Sequence, residues 1–218
     1  MPSRCPLFPL QLVLFPGEAQ PLHIFEPRYR QLLADCLAGD ELFGITYDTD
    51  PRAGSYGTFA RIRAAQAMPD GRSNIVVTGE RRFIIQAMLP EGQPYLVAAV
   101  RTFEDEPETQ PHPAELSRLR ELAAEYRAAL MTLTDLADNA PEWADDAELF
   151  SFEVAAFAEV ELDTRASLHG VRSTRERTRA LLDLLPPLLI RAQARAAVHR
   201  GARTNGKGGH GHDLVFGE

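Results

Sequence analysis

Cys36 and His23 are the one pair near the start of the chain whose types suit nucleophilic catalysis, a thiol with an imidazole base. Cys36 falls on the apolar side of a short helical pattern, however, and His23 lies in an extended run. An attacking thiol needs exposure and a depressed pKa, so a buried core cysteine is the expectation. Asp145, Asp146 and Glu148 resemble a metal or acid–base cluster, but they open a helical segment, where carboxylates satisfy free amides and complement the dipole. His210, His212 and Asp213, joined by His199, would make a metal cluster only if a Gly-rich terminus held them in place, and a structural zinc site needs ligands at fixed positions.

Phosphate chemistry lacks its parts as well. No Gly-x-Gly-x-x-Gly follows a strand and no Gly-Lys-Ser/Thr occurs. Lys207 is the only lysine, so an ordered Schiff-base, phosphate-loop or serine-activating amine is absent from the sequence. The expectation is a chain with no catalytic residue, no cofactor and no metal, whose function is recognition.

The residues suited to recognition cluster early. Leu22, Phe25, Glu26, Arg28 and Tyr29 place apolar side chains beside directional polar groups at the start of a helix, a combination that fits a short peptide or an exposed chain segment. The bland reading gives each a structural job: Glu26 caps the helix, Arg28 pairs internally and Phe25 enters the core. A cleft between a β region and following helices is a second place for contact.

The elements that position these residues are readable from turns and periodicity. Pro6 to Leu10 and Leu12 to Phe15 read as extended, with a type II turn at Pro16-Gly17. Pro27 suits a first helical position, and Tyr29, Leu32, Leu33, Cys36 and Leu37 recur at helical spacing before Gly39. Strands are predicted over Leu42 to Tyr47, Tyr56 to Met68, Ser73 to Thr78, Arg82 to Leu89 and Tyr95 to Phe103. Pro69-Asp70-Gly71 marks a tight turn and Gly79 a bend. Short strands with one early helix indicate an α+β fold with a curled antiparallel sheet or β-barrel at residues 1–103. The acidic, Pro-rich run at 104–113 reads as a linker, 114–200 as a helical bundle and 201–218 as a flexible Gly-rich tail. In the bundle, Leu116 to Leu133 form one helix and Phe150 to Val160 a second. A third, from Thr174, should kink or split at or before Leu185, because Pro186-Pro187 follow, unless that pair begins a new helix.

Composition narrows the partners. The net charge of -8, concentrated in residues 104–163, would repel a phosphate backbone, so nucleic acid is disfavoured as a partner. No run of eighteen apolar residues occurs, so no membrane partner is expected. Two cysteines in apolar contexts fit a reducing cytoplasm.

The stretches Pro6-Leu7-Phe8-Pro9-Leu10, Val13-Leu14-Phe15-Pro16-Gly17, Pro21 through Arg30, Phe43-Gly44-Ile45, Gly57-Thr58, Ala60-Arg61-Ile62 and Gly79 through Phe83 occur in one order over residues 6–103. They resemble the substrate-recognition domain at the N-terminus of the ATP-dependent protease Lon, also seen as stand-alone bacterial proteins without the ATPase and protease domains. The resemblance implies a PUA-like β domain followed by a helical bundle. It also implies a non-catalytic role: binding protein or peptide segments, unfolded or tagged, for a separate protease or chaperone. The PUA-like architecture carries an alternative, RNA or modified-base binding, with Arg61, Arg63, Arg72, Arg81 and Arg82 along the sheet and Tyr56 or Phe59 stacking.

Overall fold

The structure is a computed structural model that describes residues 3–90, 92–134 and 142–205. Its elements run β1 (Ser3–Pro9), β2 (Ala19–Ile24), α1 (Pro27–Leu37), β3 (Leu42–Thr46), β4 (Tyr56–Ala67), β5 (Ser73–Leu89), β6 (Leu96–Thr102), α2 (Pro113–Thr134), α3 (Ala147–Phe157), α4 (Leu162–Gly170) and α5 (Thr174–Asn205).

An α+β fold is present, but the expected antiparallel barrel is corrected to a six-stranded mixed sheet of order β2-β5-β4-β3-β1-β6, with β5 also pairing with β6. β1 runs parallel to β3, matching Leu7 with Gly44, and antiparallel to β6. β2 pairs only with β5 among the described strands, so the sheet keeps an edge that a closed barrel would abolish. Sequence patterning reports which face of a strand is buried, and strand direction and closure leave no mark on it.

β5 is one 17-residue strand where two were predicted. Its pairing with β4 shifts register between Gly79 and Arg82, and an added Cβ at Gly79 would collide with the Phe15 carbonyl, so glycine there also serves the close crossing of the 10–18 loop. That loop is pinned by hydrogen bonds from the Gly17 amide to the Gly79 carbonyl and from the Gly79 amide to the Glu18 carbonyl, both 2.9 Å. Gly17 takes the positive φ expected of its turn, 82°.

Alternate side chains of the strands feed two clusters. Phe8, Phe43, Ala60, Ile62 and Val77 pack with Tyr29, Leu32, Leu33 and Cys36 of α1, whereas Leu7, Phe59, Phe83, Ile85 and Val100 form a second cluster. The helices enclose a third, around Leu119, Leu122, Tyr126, Phe150, Phe152, Leu181, Leu185 and Leu189. α5 is continuous through Pro186-Pro187, which corrects the split expected at or before Leu185. Leu181, Leu185, Leu189, Ala192 and Ala196 form one buried stripe across the prolines, and that packing outweighs the lost backbone bonds. α5 runs on to Asn205, within the stretch read as tail, and the remainder of that stretch, with His210, His212 and Asp213, lies outside the described residues.

Strands and helices are locked together at Asp105. Its carboxylate receives Arg82 from β5, the Arg177 Nη2 at 2.6 Å from α5, and the Thr174 hydroxyl at 2.7 Å. Both guanidiniums are buried and lie against ring faces, Arg177 3.7 Å from the Phe152 centroid and Arg82 4.9 Å from that of Phe103. Asp105→Asn leaves two interior cations without their counter-charge. It should cost about 3–5 kcal/mol in urea unfolding; a loss under about 1 kcal/mol would show that the pair is not what holds the layers together.

Candidate functional site

The β2–α1 corner collects the residues singled out for recognition. Glu26 is the N-cap of α1 through its backbone, its carbonyl accepting the Tyr29 and Arg30 amides, while its side chain makes no cap bond. The carboxylate accepts instead from Arg28 Nε at 2.9 Å, and the Arg28 guanidinium lies 4.5 Å from the centroid of the Tyr29 ring. Tyr29 is buried against Phe8, with ring centroids 4.1 Å apart, so it supports the corner from beneath. Leu22 is half-buried. Phe25 is 59% exposed, its ring stacked on His23 at 6.0 Å. Neither core packing of Phe25 nor side-chain capping by Glu26 is found, whereas Arg28 does pair internally.

Cross-strand register extends this corner into a face. Pro21, Val76 and Ala64 lie side by side across β2, β5 and β4, and the next row is His23, Asn74 and Gln66. An apolar strip therefore runs beside a row of hydrogen-bonding side chains, with His23 Nδ1 and Asn74 Oδ1 2.7 Å apart. Together they line a shallow groove of about 410 Å³. Sequence reasoning missed this row. The signal was Val76, an apolar residue on the outward phase of a strand whose inward phase is Ile75 and Val77.

A second concavity, about 590 Å³, lies between the sheet and α4. Ile45, Leu14, Thr58 and His169 form its base and Tyr47, Arg52 and Tyr56 stand at its mouth. His169 comes from α4, a helix not predicted, because Leu162–Gly170 carries too few apolar residues to show a period. Its Nε2 is 2.7 Å from the Thr58 hydroxyl, which also lies 2.6 Å from the Leu14 carbonyl. Thr58 has one proton to give, so it donates to Leu14 and His169 donates from Nε2.

The remaining sequence candidates are dispersed. Cys36 is buried, its thiol directed at the Leu42 carbonyl at 3.4 Å, and burial pushes its pKa up to about 12. His23 faces Asn74, so the two do not form a dyad. Asp146 caps α3 by accepting the Leu149 amide at 2.8 Å. Of the arginines proposed for RNA, Arg82 is buried, Arg61 is paired with Glu80 and Arg72 with Asp70. Phe59 is buried, and Tyr56 packs on Phe103 at 4.8 Å. The stripe and stacking platform of the RNA alternative are thus mostly spent on internal contacts.

An apolar groove beside hydrogen-bonding side chains, with a deeper cleft where sheet meets helices, is the surface of a binding module. Comparison with known proteins gives the module its family. Residues 4–186 match the substrate-binding domain of the ATP-dependent protease La (Lon), and the chain belongs to that family. The role this family defines is recognition of protein or peptide substrate, distinct from the catalytic parts of the protease. The Lon protease of Flavobacterium johnsoniae is 31% identical over 115 residues, 49% of this chain and 14% of that protein. That of Cytophaga hutchinsonii is 26% identical over 157 residues, 68% of this chain and 18% of the protease. The chain thus spans less than a fifth of the length of either. The crystal structure of a Lon N-terminal domain protein from Xanthomonas campestris superposes with a TM-score of 0.65 at 27% identity, covering 84% of this chain and 99% of that one. The N-terminal domain of the Mycobacterium avium complex Lon protease, at 19% identity and a TM-score of 0.61 over 84% of this chain and 98% of that one, shares the fold. No described helix is long and apolar enough to cross a membrane.

Burial, followed by the charges of Arg82, Arg177 and Arg165, pushes the His169 pKa down to about 3. Between that value and the ordinary value near 6.5 the unfolded chain binds a proton that the native chain does not, so stability falls as pH drops through this window. Burial raises Glu18 and Glu148, whose effect has the opposite sign. A comparison of variants therefore isolates His169. His169→Gln should flatten the decline in urea midpoint between pH 6.5 and 4.5, and an unchanged slope would count against the buried neutral imidazole.

Proposed function

We propose that the chain holds exposed segments of protein substrates on the β2–α1 face and presents them to a separate protease or chaperone. The observation that carries this reading is the continuity of exposed Phe25 with the Pro21–Val76–Ala64 strip and the His23–Asn74–Gln66 row. The apolar strip rewards any aliphatic or aromatic side chain laid on it, and the polar row answers the peptide groups between such side chains. Selection is then for unfolded chain with alternating apolar residues more than for one sequence. Leu22 and Tyr29 set the corner's shape from below, and Glu26 orients Arg28 at its rim, where the guanidinium can meet a carbonyl or carboxylate. Free, buried Cys5 and Cys36 suit a reducing cytoplasm as the place of action.

The test is fluorescence polarisation with a labelled, permanently unfolded polypeptide. Covering one large side chain contributes about 1.5–3 kcal/mol, so Phe25→Ala should weaken binding roughly tenfold, and Val76→Ser by a smaller factor. Arg28→Ala, at an exposed ion pair, should change it only about two- to threefold. Circular dichroism verifies folding of each variant. Affinities within twofold of wild type for both Phe25→Ala and Val76→Ser would move the site elsewhere.

A further inference from the structure

We propose that the cleft between the sheet and α4 seats one neutral aromatic ring bearing a hydrogen-bond donor, an indole or a phenol, carried by a bound polypeptide. The cleft's volume of about 590 Å³ lies in the usual range of ligand pockets, about 300–1,000 Å³, and accommodates a ring system with the chain that presents it. Its mouth is flanked by two partly exposed tyrosines that are already fixed. The Tyr47 hydroxyl donates to Asp163 of α4 at 2.7 Å, and the Tyr56 ring rests on Phe103. Rings immobilised before the ligand arrives lose little freedom on contact, which favours an aromatic guest.

The base of the cleft selects the guest's polar atom. His169 is 94% buried by its 6% exposure, lines the cleft, and is held edge-on to Phe15 at 5.9 Å. With Nε2 donating to Thr58, the ring presents Nδ1 as an acceptor, and no protein donor reaches Nδ1 among the described residues. A guest ring with an N–H or O–H completes that bond, whereas phenylalanine leaves it unmade. The charges around the base and wall favour a neutral guest. Arg82, Arg165 and Arg177, which oppose protonation of His169, oppose a cationic guest equally. Asp48, a carboxylate in the cleft lining, opposes a second carboxylate there.

The β2–α1 reading enters this proposal only in naming a polypeptide as the source of the ring, and the measurement separates the two. In the isotope-labelled full chain, N-acetyl-tryptophanamide should shift the resonances of Tyr47, Thr58 and His169, and its 1-methylindole analogue and N-acetyl-phenylalaninamide should bind roughly tenfold more weakly. His169→Gln, which keeps a donor at the Nε2 position and removes the Nδ1 acceptor, should erase that preference for the donor. Ala53→Leu, an exposed substitution at the mouth, should weaken every probe, and Phe25→Ala should leave probe binding unchanged. An unfolded peptide with one tryptophan should compete with the probe, and its Phe-substituted twin should not. Equal binding of the parent and methylated probes, no response at the three named residues, or no effect of Ala53→Leu would overturn the ring site. Probe binding without competition by the tryptophan peptide would overturn the polypeptide source and leave a small free aromatic molecule as the guest.

Discussion

The Asp105 carboxylate, shared by two buried guanidiniums, is the interaction on which the spatial relation of sheet and helices depends. One carboxylate bonds two guanidiniums in the interior, Glu148 adds opposite charge nearby, and neutral groups accept the remaining donors. Arg82 donates to the His169 and Val171 carbonyls, the latter at 2.8 Å, and Arg177 to the Val171 carbonyl at 3.1 Å and to Ser151 Oγ at 2.8 Å. Ring faces of Phe103 and Phe152 cover what remains. Burial drives the Arg82 pKa down to about 10. Burial alone would raise the Asp105 pKa, yet the hydrogen bond and charge of Arg177, with Thr174 and Arg82, hold it below the ordinary carboxylate value. Such a cluster gains little net stability over apolar packing, because desolvation is costly; its contribution is to admit one arrangement of the layers. Arg165 makes a second tie, to Glu18 at 2.8 Å and to the Val13 carbonyl at 3.0 Å, and so fixes the loop that forms one wall of the cleft.

Much of the corner proposed for recognition was legible because its geometry is local. Pro16-Gly17 and Pro27 restrict the backbone wherever they occur, and the Tyr29, Leu32, Leu33, Cys36 spacing admits only one buried helix face. The clamp was illegible for the opposite reason. Arg82 and Arg177 stand 95 positions apart, and their partner sits in a run of acids and prolines whose composition reads as solvated. A single carboxylate among many carries no local sign that it will be buried. The parallel β1–β3 pair, the continuity of β5 and the helix through Pro186-Pro187 belong to the same class, since each is decided by what packs alongside. The cleft shares that limit: His169 and Thr58 meet across 111 positions and from two different layers.

The chemistry of the β2 edge bears on how a substrate would be held on the proposed face. An edge strand offers unpaired backbone groups to any extended chain, and unrestricted pairing there leads to aggregation as readily as to recognition. Pro21 sits in the middle of β2 and has no N–H, so a continuous ladder with a foreign strand is interrupted at its centre. His23 and Asn74 engage each other on the outward face. The proposed mode of binding is therefore contact by side chains on a shallow face in place of strand addition. That mode gives an attachment of modest strength and short lifetime, because each contact is a separate gain offset by the ordering of a flexible ligand. Such an attachment suits the proposed transfer of substrate to a separate protease or chaperone better than a stable added strand would. The same corner meets both demands because its rigidity comes from below, from Tyr29 packed on Phe8, while its contact surface stays simple and shallow.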